Sequence, residues 1–438
     1  MDIFVILTFL ATVSLILFLA IKKPYVTIGK HHLETYAVAA LVGPLIFLLI
    51  GYLKPEHLSV LISGTTNPVT ILIFFLSMVF ISVYLDEVGF MEYCAKIALG
   101  WAHSSGTKLF FMLYAVVSFL TIFTSNDIII LTLTPFIYYF TKHAKLDPKP
   151  YLLAEFFAAN TWSILLQIGN PTNVYLTTSY GISFMAYLKV MWLPAIVAGL
   201  LNLAVLYFIF RKAINKNFVP NNTNPEKALR DRTGAIIGVT ILICCTLLLI
   251  ISPYLNISMW QIAFGSSILL SSIIIVRDLF RGKYSEVHHV FYKMPWSVIP
   301  FIMSFFIMVE VLFSTNNISL ITNFIQSISV DTSMLVFVFG TTSALLSNVM
   351  NNIPMTVMYT QLISTMNGKA LIDAVYATVI GSNIGAYFTP FGALAGIMWM
   401  SILKHKKIDL SYLEFIKYGL LTGVIVLIGS LVALSIVL

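Results

Sequence analysis

The chain has 438 residues, 59% of them hydrophobic and 10% charged, and a mean hydropathy of +0.94. Soluble domains are roughly 45–50% apolar, so this composition excludes a soluble enzyme or binding module and predicts an all-α polytopic membrane protein. The formal net charge of +7 then reads as a record of membrane orientation, not as a nucleic-acid footprint.

Crossing a hydrocarbon core of about 30 Å takes about 20 apolar residues. Such stretches run at about 3–21, 35–53, 68–86, 186–210, 233–252, 258–276, 296–313 and 415–437, and predict eight full spans. The first is long for a signal-peptide core and lacks a basic leader, so it is expected to be a retained span. Residues 87–105, with Glu92, Lys96 and Trp101, predict an interfacial amphipathic helix. Residues 107–142 and 332–366 predict re-entrant hairpins, and 150–181 and 371–403 predict single helices broken in mid-membrane. Residues 215–232, polar and containing Pro220 and Pro225, read as a cytoplasmic tether. Cys94, Cys244 and Cys245 form no disulfide or metal spacing.

This arrangement sorts the charges. It puts 22 of the 25 lysines and arginines on one side and leaves Lys54, Lys189 and Lys369 on the other. Such an excess marks the first side as cytoplasmic. The expectation is a multi-pass cell-membrane protein of ten transmembrane spans plus two re-entrant hairpins, both termini outside. It divides into halves 1–214 and 233–438 joined by 215–232. Five spans per half is an odd number, so the second half is inverted relative to the first, and the two hairpins enter from opposite sides.

The halves also resemble each other. Ser118 to Asn126 and Ser343 to Asn351 repeat with an offset of 225, each with eight residues from serine to asparagine. Asn160-Thr161 followed by Gly169 to Asn173 matches Asn383-Ile384 followed by Thr389 to Gly392, with an offset of 223 from Asn160 to Asn383. Phe74 to Met78 matches Phe301 to Phe305 at 227. Inverted repeats with discontinuous helices at the midplane are the architecture of many secondary transporters.

Lipid offers backbone no hydrogen-bond partner, so polar clusters inside apolar segments are costly unless they line something. A single such break is commonly a kink or a helix–helix contact; four related by a repeat point to a substrate site. The candidate substrate ligands are Ser125, Asn126, Asn160, Thr161, Gly169, Asn170, Thr172, Asn173, Asn348, Asn351, Asn352, Ser382, Asn383, Thr389 and Gly392. Half-helix N-termini suit an anion or the oxygens of a neutral oxyacid. Asp127, whose repeat mate is the neutral Asn352, is the candidate coupling residue; the alternative is a helix cap. Glu155 is expected to reach toward Lys149 and the cytoplasmic surface. No nucleotide loop, catalytic grouping or metal spacing is present in the sequence, so no enzymatic activity and no cofactor are expected beyond a proton or sodium ion as coupling ion. The expected partners are the lipid bilayer and a small inorganic or organic oxyacid, with no nucleic acid; a homodimer and a cytoplasmic ATPase subunit stay open.

At Asp86 to Glu92, Ser125 to Asp127, Val349 to Met355 and Thr389 to Ala395 the sequence resembles the ArsB-type arsenite/antimonite efflux permeases of the ion transporter superfamily, over nearly its whole length. The resemblance implies a proton-driven carrier with paired hairpins and an elevator-like movement. Where those carriers are expected to hold aspartates at the unwound helices, this chain has Asn160-Thr161 and Ser382 to Gly385. Arsenite or antimonite efflux is the leading expectation. A sodium- or proton-coupled carboxylate or inorganic anion symporter, or a sodium/proton antiporter, is the alternative.

Overall fold

The computed structural model describes residues 3–23, 25–28, 31–57, 59, 67–102, 104–218, 225–281, 286–315, 332–408 and 410–438. It is a helical assembly. The first half contains α1 (Ile3–Lys22), α2 (Thr35–Ala40), α3 (Val42–Ile50), α4 (Pro68–Glu87), α5 (Phe90–Trp101), α6 (Gly106–Phe123), α7 (Asn126–His143), α8 (Pro148–Trp162), α9 (Pro171–Ser179) and the long α10 (Phe184–Ile214). The second contains α11 (Arg232–Leu255), α12 (Met259–Arg281), α13 (Glu286–Lys293), α14 (Val298–Ser314), α15 (Thr332–Met350), α16 (Asn352–Ile363), α17 (Gly368–Ile384), α18 (Leu394–His405) and α19 (Tyr412–Val437).

The helical fold carries one short β addition. Tyr25–Ile28 and His31–Glu34 pair as a short antiparallel hairpin, Val26 opposite Leu33, where β-branched Val26, Thr27 and Ile28 favour extended backbone. Local chemistry also splits one expected span and bends the entry to another. Residues 35–53 divide at Leu41 because Pro44 lacks an N–H and its ring would crowd the Ala40 carbonyl. Residues 286–314 bend by 40° between α13 and α14, where Pro295 biases its predecessor away from helix. Among the described residues six helices are long and apolar enough to cross a membrane: α4, α6, α10, α11, α12 and α19; the bent pair would make seven.

The polar motifs fall where the helices stop. α6 ends at Phe123 and α7 starts at Asn126, with extended backbone at Thr124 and Ser125. The outer ends of this pair meet at the end of α10: Gly106 N donates to Lys216 O (2.8 Å), Phe218 N to Ser104 O (2.9 Å), and the Phe140 ring contacts that of Phe218. The pair therefore turns back on itself. α15 and α16 do the same around Asn351, with Tyr359 donating to Thr342 Oγ1 (2.7 Å) across the turn. α8 breaks after Trp162 and restarts at Pro171; α17 breaks after Ile384 and restarts at Leu394. The packing has a two-fold pattern: α7 lies on α18 as α9 lies on α16, and α10 lies along α19.

The ion pairs between described residues gather at one end. Lys149 meets Glu414, Lys293 meets Glu87 and Asp86, Arg277 meets Asp231, Arg230 meets Glu87 and Lys96 meets Glu92. Asp231 does two jobs there. Its Oδ1 caps α11 at Gly234 N (3.0 Å), while Oδ2 holds Arg277, which also reaches Tyr84 Oη (3.1 Å) on α4. We predict that Asp231→Asn, which keeps the cap but not the charge, lowers thermal stability in detergent less than Asp231→Ala. The gap should be about 1 kcal/mol, the worth of a cap; equal melting temperatures would refute the double role.

Candidate functional site: the interlocked helix breaks

The breaks of α8 and α17 lie against each other, and the amide of Asn383 ties them. Its Oδ1 accepts from Ser163 Oγ (2.8 Å) and Asn170 Nδ2 (2.8 Å); its Nδ2 donates to Asn173 Oδ1 (2.7 Å) and to Val379 O (2.8 Å). Asn383 and its three side-chain partners are all buried. The single Ser163 hydroxyl hydrogen is shared between Asn383 Oδ1 and Asn160 O (2.8 Å), and Asn173 Nδ2 donates to Ser163 O (2.8 Å), so the unwound turn is closed by side chains. Asn170 caps the restart, its Oδ1 accepting from Thr172 N (3.1 Å) and Thr172 Oγ1 (3.0 Å), with Pro171 in the first turn. Thr172 and Ser382 hydroxyls meet across the halves at 3.2 Å.

The hairpin α6–α7 joins through Asn126, whose Nδ2 donates to Asn160 Oδ1 (3.0 Å); Asn160 Nδ2 donates to Phe156 O (2.8 Å). Asn126, Asn160 and Asn383 are thus linked through Ser163. Asn351 is not part of that link. It donates to Phe391 O (3.2 Å), while Asn352 N donates to Gly392 O (3.0 Å) and Asn352 Nδ2 to Ser382 O (3.5 Å). Asn348 fastens the second break: Nδ2 donates to Gly385 O (2.8 Å), and Oδ1 accepts from Thr389 N (2.9 Å) and Thr389 Oγ1 (2.7 Å). Gly169 and Gly392 serve by lacking a side chain. A Cβ would lie 2.4 Å from Ser163 O at the first and 2.8 Å from Gly385 O at the second.

Three participants carried little or no signal in the sequence. Ser163 lies two residues past the Asn160-Thr161 motif. Asn202, a lone amide within an apolar span, donates to Thr161 Oγ1 (2.6 Å) and Tyr387 Oη (3.3 Å). Tyr387 also bonds Thr161 and donates to Phe157 O (2.9 Å); an aromatic residue in an apolar chain advertises nothing.

Two polar atoms at the start of α7 have no partner among the described residues: Ser125 Oγ and Asn126 Oδ1, both buried. They stand beside the free N–H groups of a helix whose Ser125 cap makes no side-chain bond. Asp127 follows in the first turn, half-buried, with no hydrogen bond or ion pair to a described residue. It is not the cap, which is Ser125. The site offers hydroxyl, amide and backbone N–H donors, one carboxylate and no basic side chain, which suits a small oxygen-bearing solute better than a large anion.

Glu155 does not reach toward Lys149. It is buried against Thr134, whose hydroxyl lies 3.0 Å from both carboxylate oxygens, and Lys149 is engaged by Glu414. The expectation failed because α8 turns that position inward, onto α7, and not toward the aqueous end.

Asn351 is the strained point. Its φ of 75° and ψ of 153° fall in a region that is essentially glycine's, at a cost of about 1–3 kcal/mol. We predict that Asn351→Gly folds with unchanged or higher stability yet loses transport, because it relieves the strain and removes the amide; wild-type flux in that variant would reduce Asn351 to a turn residue. Asn383→Ala should leave Ser163, Asn170 and Asn173 short of partners, at about 1–3 kcal/mol for each group orphaned. We predict lost transport with the membrane inserted, measured by flux and by abundance; normal flux would show that the tie is dispensable.

The sequence has relatives whose names bear on this site. The family model of citrate transporters, CitMHS, matches residues 15–380. The arsenical pump membrane protein of Escherichia coli K12 is 26% identical over 408 residues, covering 91% of this chain and 92% of that protein. A putative arsenical pump membrane protein of Bacillus subtilis is also 26% identical over 408 residues, covering 87% and 90%. In fold, the YdaH transporter of Alcanivorax borkumensis superposes with a TM-score of 0.56 at 15% identity, covering 99% and 97%. The chain belongs to the CitMHS citrate transporter family and is a membrane anion transporter with ArsB-type relatives.

Proposed function

We propose that the protein is a secondary active transporter that expels arsenite or antimonite, driven by a proton or sodium gradient. The observation that carries this reading is the buried start of α7, where Ser125 Oγ and Asn126 Oδ1 lack partners beside Asp127 and next to the interlocked breaks. A neutral trihydroxy acid can exchange hydrogen bonds with such groups without needing a counter-charge. The names of the relatives support the same substrate. The citrate transporter model favours a second reading, a carboxylate symporter; the absence of basic side chains among the break residues argues against a polyanion. Purified protein in proteoliposomes, offered arsenite, antimonite, citrate and sodium in turn under imposed gradients, separates these readings. Citrate flux without arsenite flux would overturn ours.

The topology we propose has ten spans with α6–α7 and α15–α16 as re-entrant hairpins. Residues 1–214 and 233–438 form inverted repeats, and the end bearing the ion pairs faces the cytoplasm. In support, Lys142, Lys149, Lys216 and Lys406 lie at that same end, where Lys406 Nζ reaches Tyr139 Oη (2.6 Å). Single cysteines at Lys406 and Lys227 should be protected from an impermeant thiol reagent in intact cells, and cysteines at Asn256 and Lys369 should react. Labelling of Lys406 from outside would sink this arrangement. The proposed linker's residues 219–224, Pro220 among them, lie outside the described residues.

Asp127 is proposed as the coupling group. Since Asp127 sits inside the first turn and not at the cap, Asp127→Asn removes the charge with little cost to the helix. We predict that this variant folds and exchanges substrate down a gradient but accumulates none against one. Gradient-driven flux at the wild-type rate would leave the carboxylate as a favourable charge at a helix start.

A further inference from the structure

Glu155 is a carboxylate buried at the middle of a helix, and the site described above does not use it. It is the eighth residue of the 15-residue α8 and is 1% exposed. Apolar rings pack beside it. Phe156, Trp399 and Phe415 contact one another with ring centroids 5.0–5.8 Å apart. Among the described residues its hydrogen-bond partner of normal geometry is the Thr134 hydroxyl. The indole Nε1 of Trp399, buried and without a partner of normal geometry, is the other polar group beside it.

Among the described residues no cation balances it. The charged side chains on the elements packed around α8 are Lys108 on α6; Asp127, Lys142 and His143 on α7; Lys189, Arg211 and Lys212 on α10; and Lys369 and Asp373 on α17. Beyond these lie Lys404 on α18, and Glu414 and Lys417 on α19. Each lies within two turns of a helix end, and none pairs with Glu155 among the described residues. Lys149, on α8 itself, is engaged by Glu414. An ionised carboxylate in such a setting is prohibitively costly. One carboxylate and one hydroxyl also fall short of the six or so oxygens that a hard metal cation takes. A proton is the ligand that fits.

The fold does not require an acid here. The offset of 223 that relates Asn160 to Asn383 takes Glu155 to Thr378, whose hydroxyl simply donates to Ala374 O (2.7 Å). A polar ladder leads from the carboxyl to the basic end: Thr134, Tyr138 and Lys142 recur at four-residue spacing on one face of α7, and Lys142 Nζ reaches Tyr138 Oη (3.2 Å). In the other direction, Asp127 lies seven residues before Thr134, two turns or about 10.5 Å along the same face.

We propose that Glu155 is a proton-binding site of the transporter, occupied in the conformation seen here and loaded and emptied through the Thr134, Tyr138 and Lys142 face of α7. The chemistry is reversible protonation of one carboxylate oxygen, with no other bond changed. It deepens the proposed function and rests on its proton-coupled form. Glu155→Gln keeps the volume and an oxygen to accept from Thr134, so it tests the proton apart from the fold.

Two measurements decide it. Infrared difference spectra of the purified protein between acid and alkaline buffer should show a protonated-carboxyl band that titrates in the wild type. The band should be missing from Glu155→Gln and shifted in frequency in Thr134→Val. Proton counting in proteoliposomes should show one proton fewer per substrate in Glu155→Gln than in the wild type, with substrate exchange retained. A Glu155 band that does not titrate, or a Glu155→Gln variant with the wild-type proton count, overturns the proposal while leaving gradient-driven transport through Asp127 standing. If the wild type itself moves substrate without protons, the proton-coupled reading fails, and Glu155 as a carrier fails with it.

Discussion

Every helix that stops inside an apolar body exposes up to four N–H and four C=O groups that water cannot reach. Among the described residues the polar motifs mark four such stops, at 124–125, 163–170, 351 and 385–393. The cost is met by short polar side chains. Ser163, Asn173 and Asn348 bond directly to carbonyls of the unwound turns, and Asn170 and Asn351 cap the restarted helices. Each such bond nets only about 1 kcal/mol, whereas leaving the group unmade costs about 1–3 kcal/mol. The network therefore behaves as a unit, and its geometry fixes where the hairpin tips can lie.

That constraint also separates support from site. Amides whose four hydrogen-bonding positions are largely used within the protein, Asn383 above all, have little left for a solute. Atoms with no partner among the described residues, Ser125 Oγ and Asn126 Oδ1, have capacity to spare. The arrangement is a scaffold of satisfied asparagines around a small unsatisfied pole at the start of α7. A solute that brings hydroxyls can complete that pole without importing charge into a low-dielectric region.

Much of this was legible in the sequence because the membrane makes polar residues informative. Asn126, Asn160, Asn351 and Asn383 stand out in apolar surroundings, and their spacing places helix breaks within a few residues of those observed. What stayed hidden depends on which way a helix faces. Glu155 and Lys149 sit on one helix near a basic end, and the sequence offered them to each other; the rotation of α8 buries one on Thr134 and sends the other to Glu414. Tyr387 and Asn202 become partners of Thr161 only through long-range packing. The split of residues 35–53 was visible in Gly43 and Pro44, but a run of high hydropathy outweighed it.

The repeat supplies an internal control that a single-copy fold lacks. Two sets of polar motifs in one chain, offset by about 225 residues, meet the same demand for backbone satisfaction with different side chains: Asn126 bonds to Asn160, whereas Asn351 bonds to a carbonyl and Asn352 to another. Where a residue type recurs, as with the asparagines and the glycines at 169 and 392, the fold accounts for it. Where the halves differ in charge, the fold does not. Asp127 faces Asn352 in the alignment and Glu155 faces Thr378, so neither of these two acids has an acidic counterpart in the second half, and both lie on the hairpin and broken helix whose outer ends lie at the basic face. An asymmetry of charge laid over a symmetry of backbone is what a carrier needs if one half is to sense the gradient while both halves share the solute.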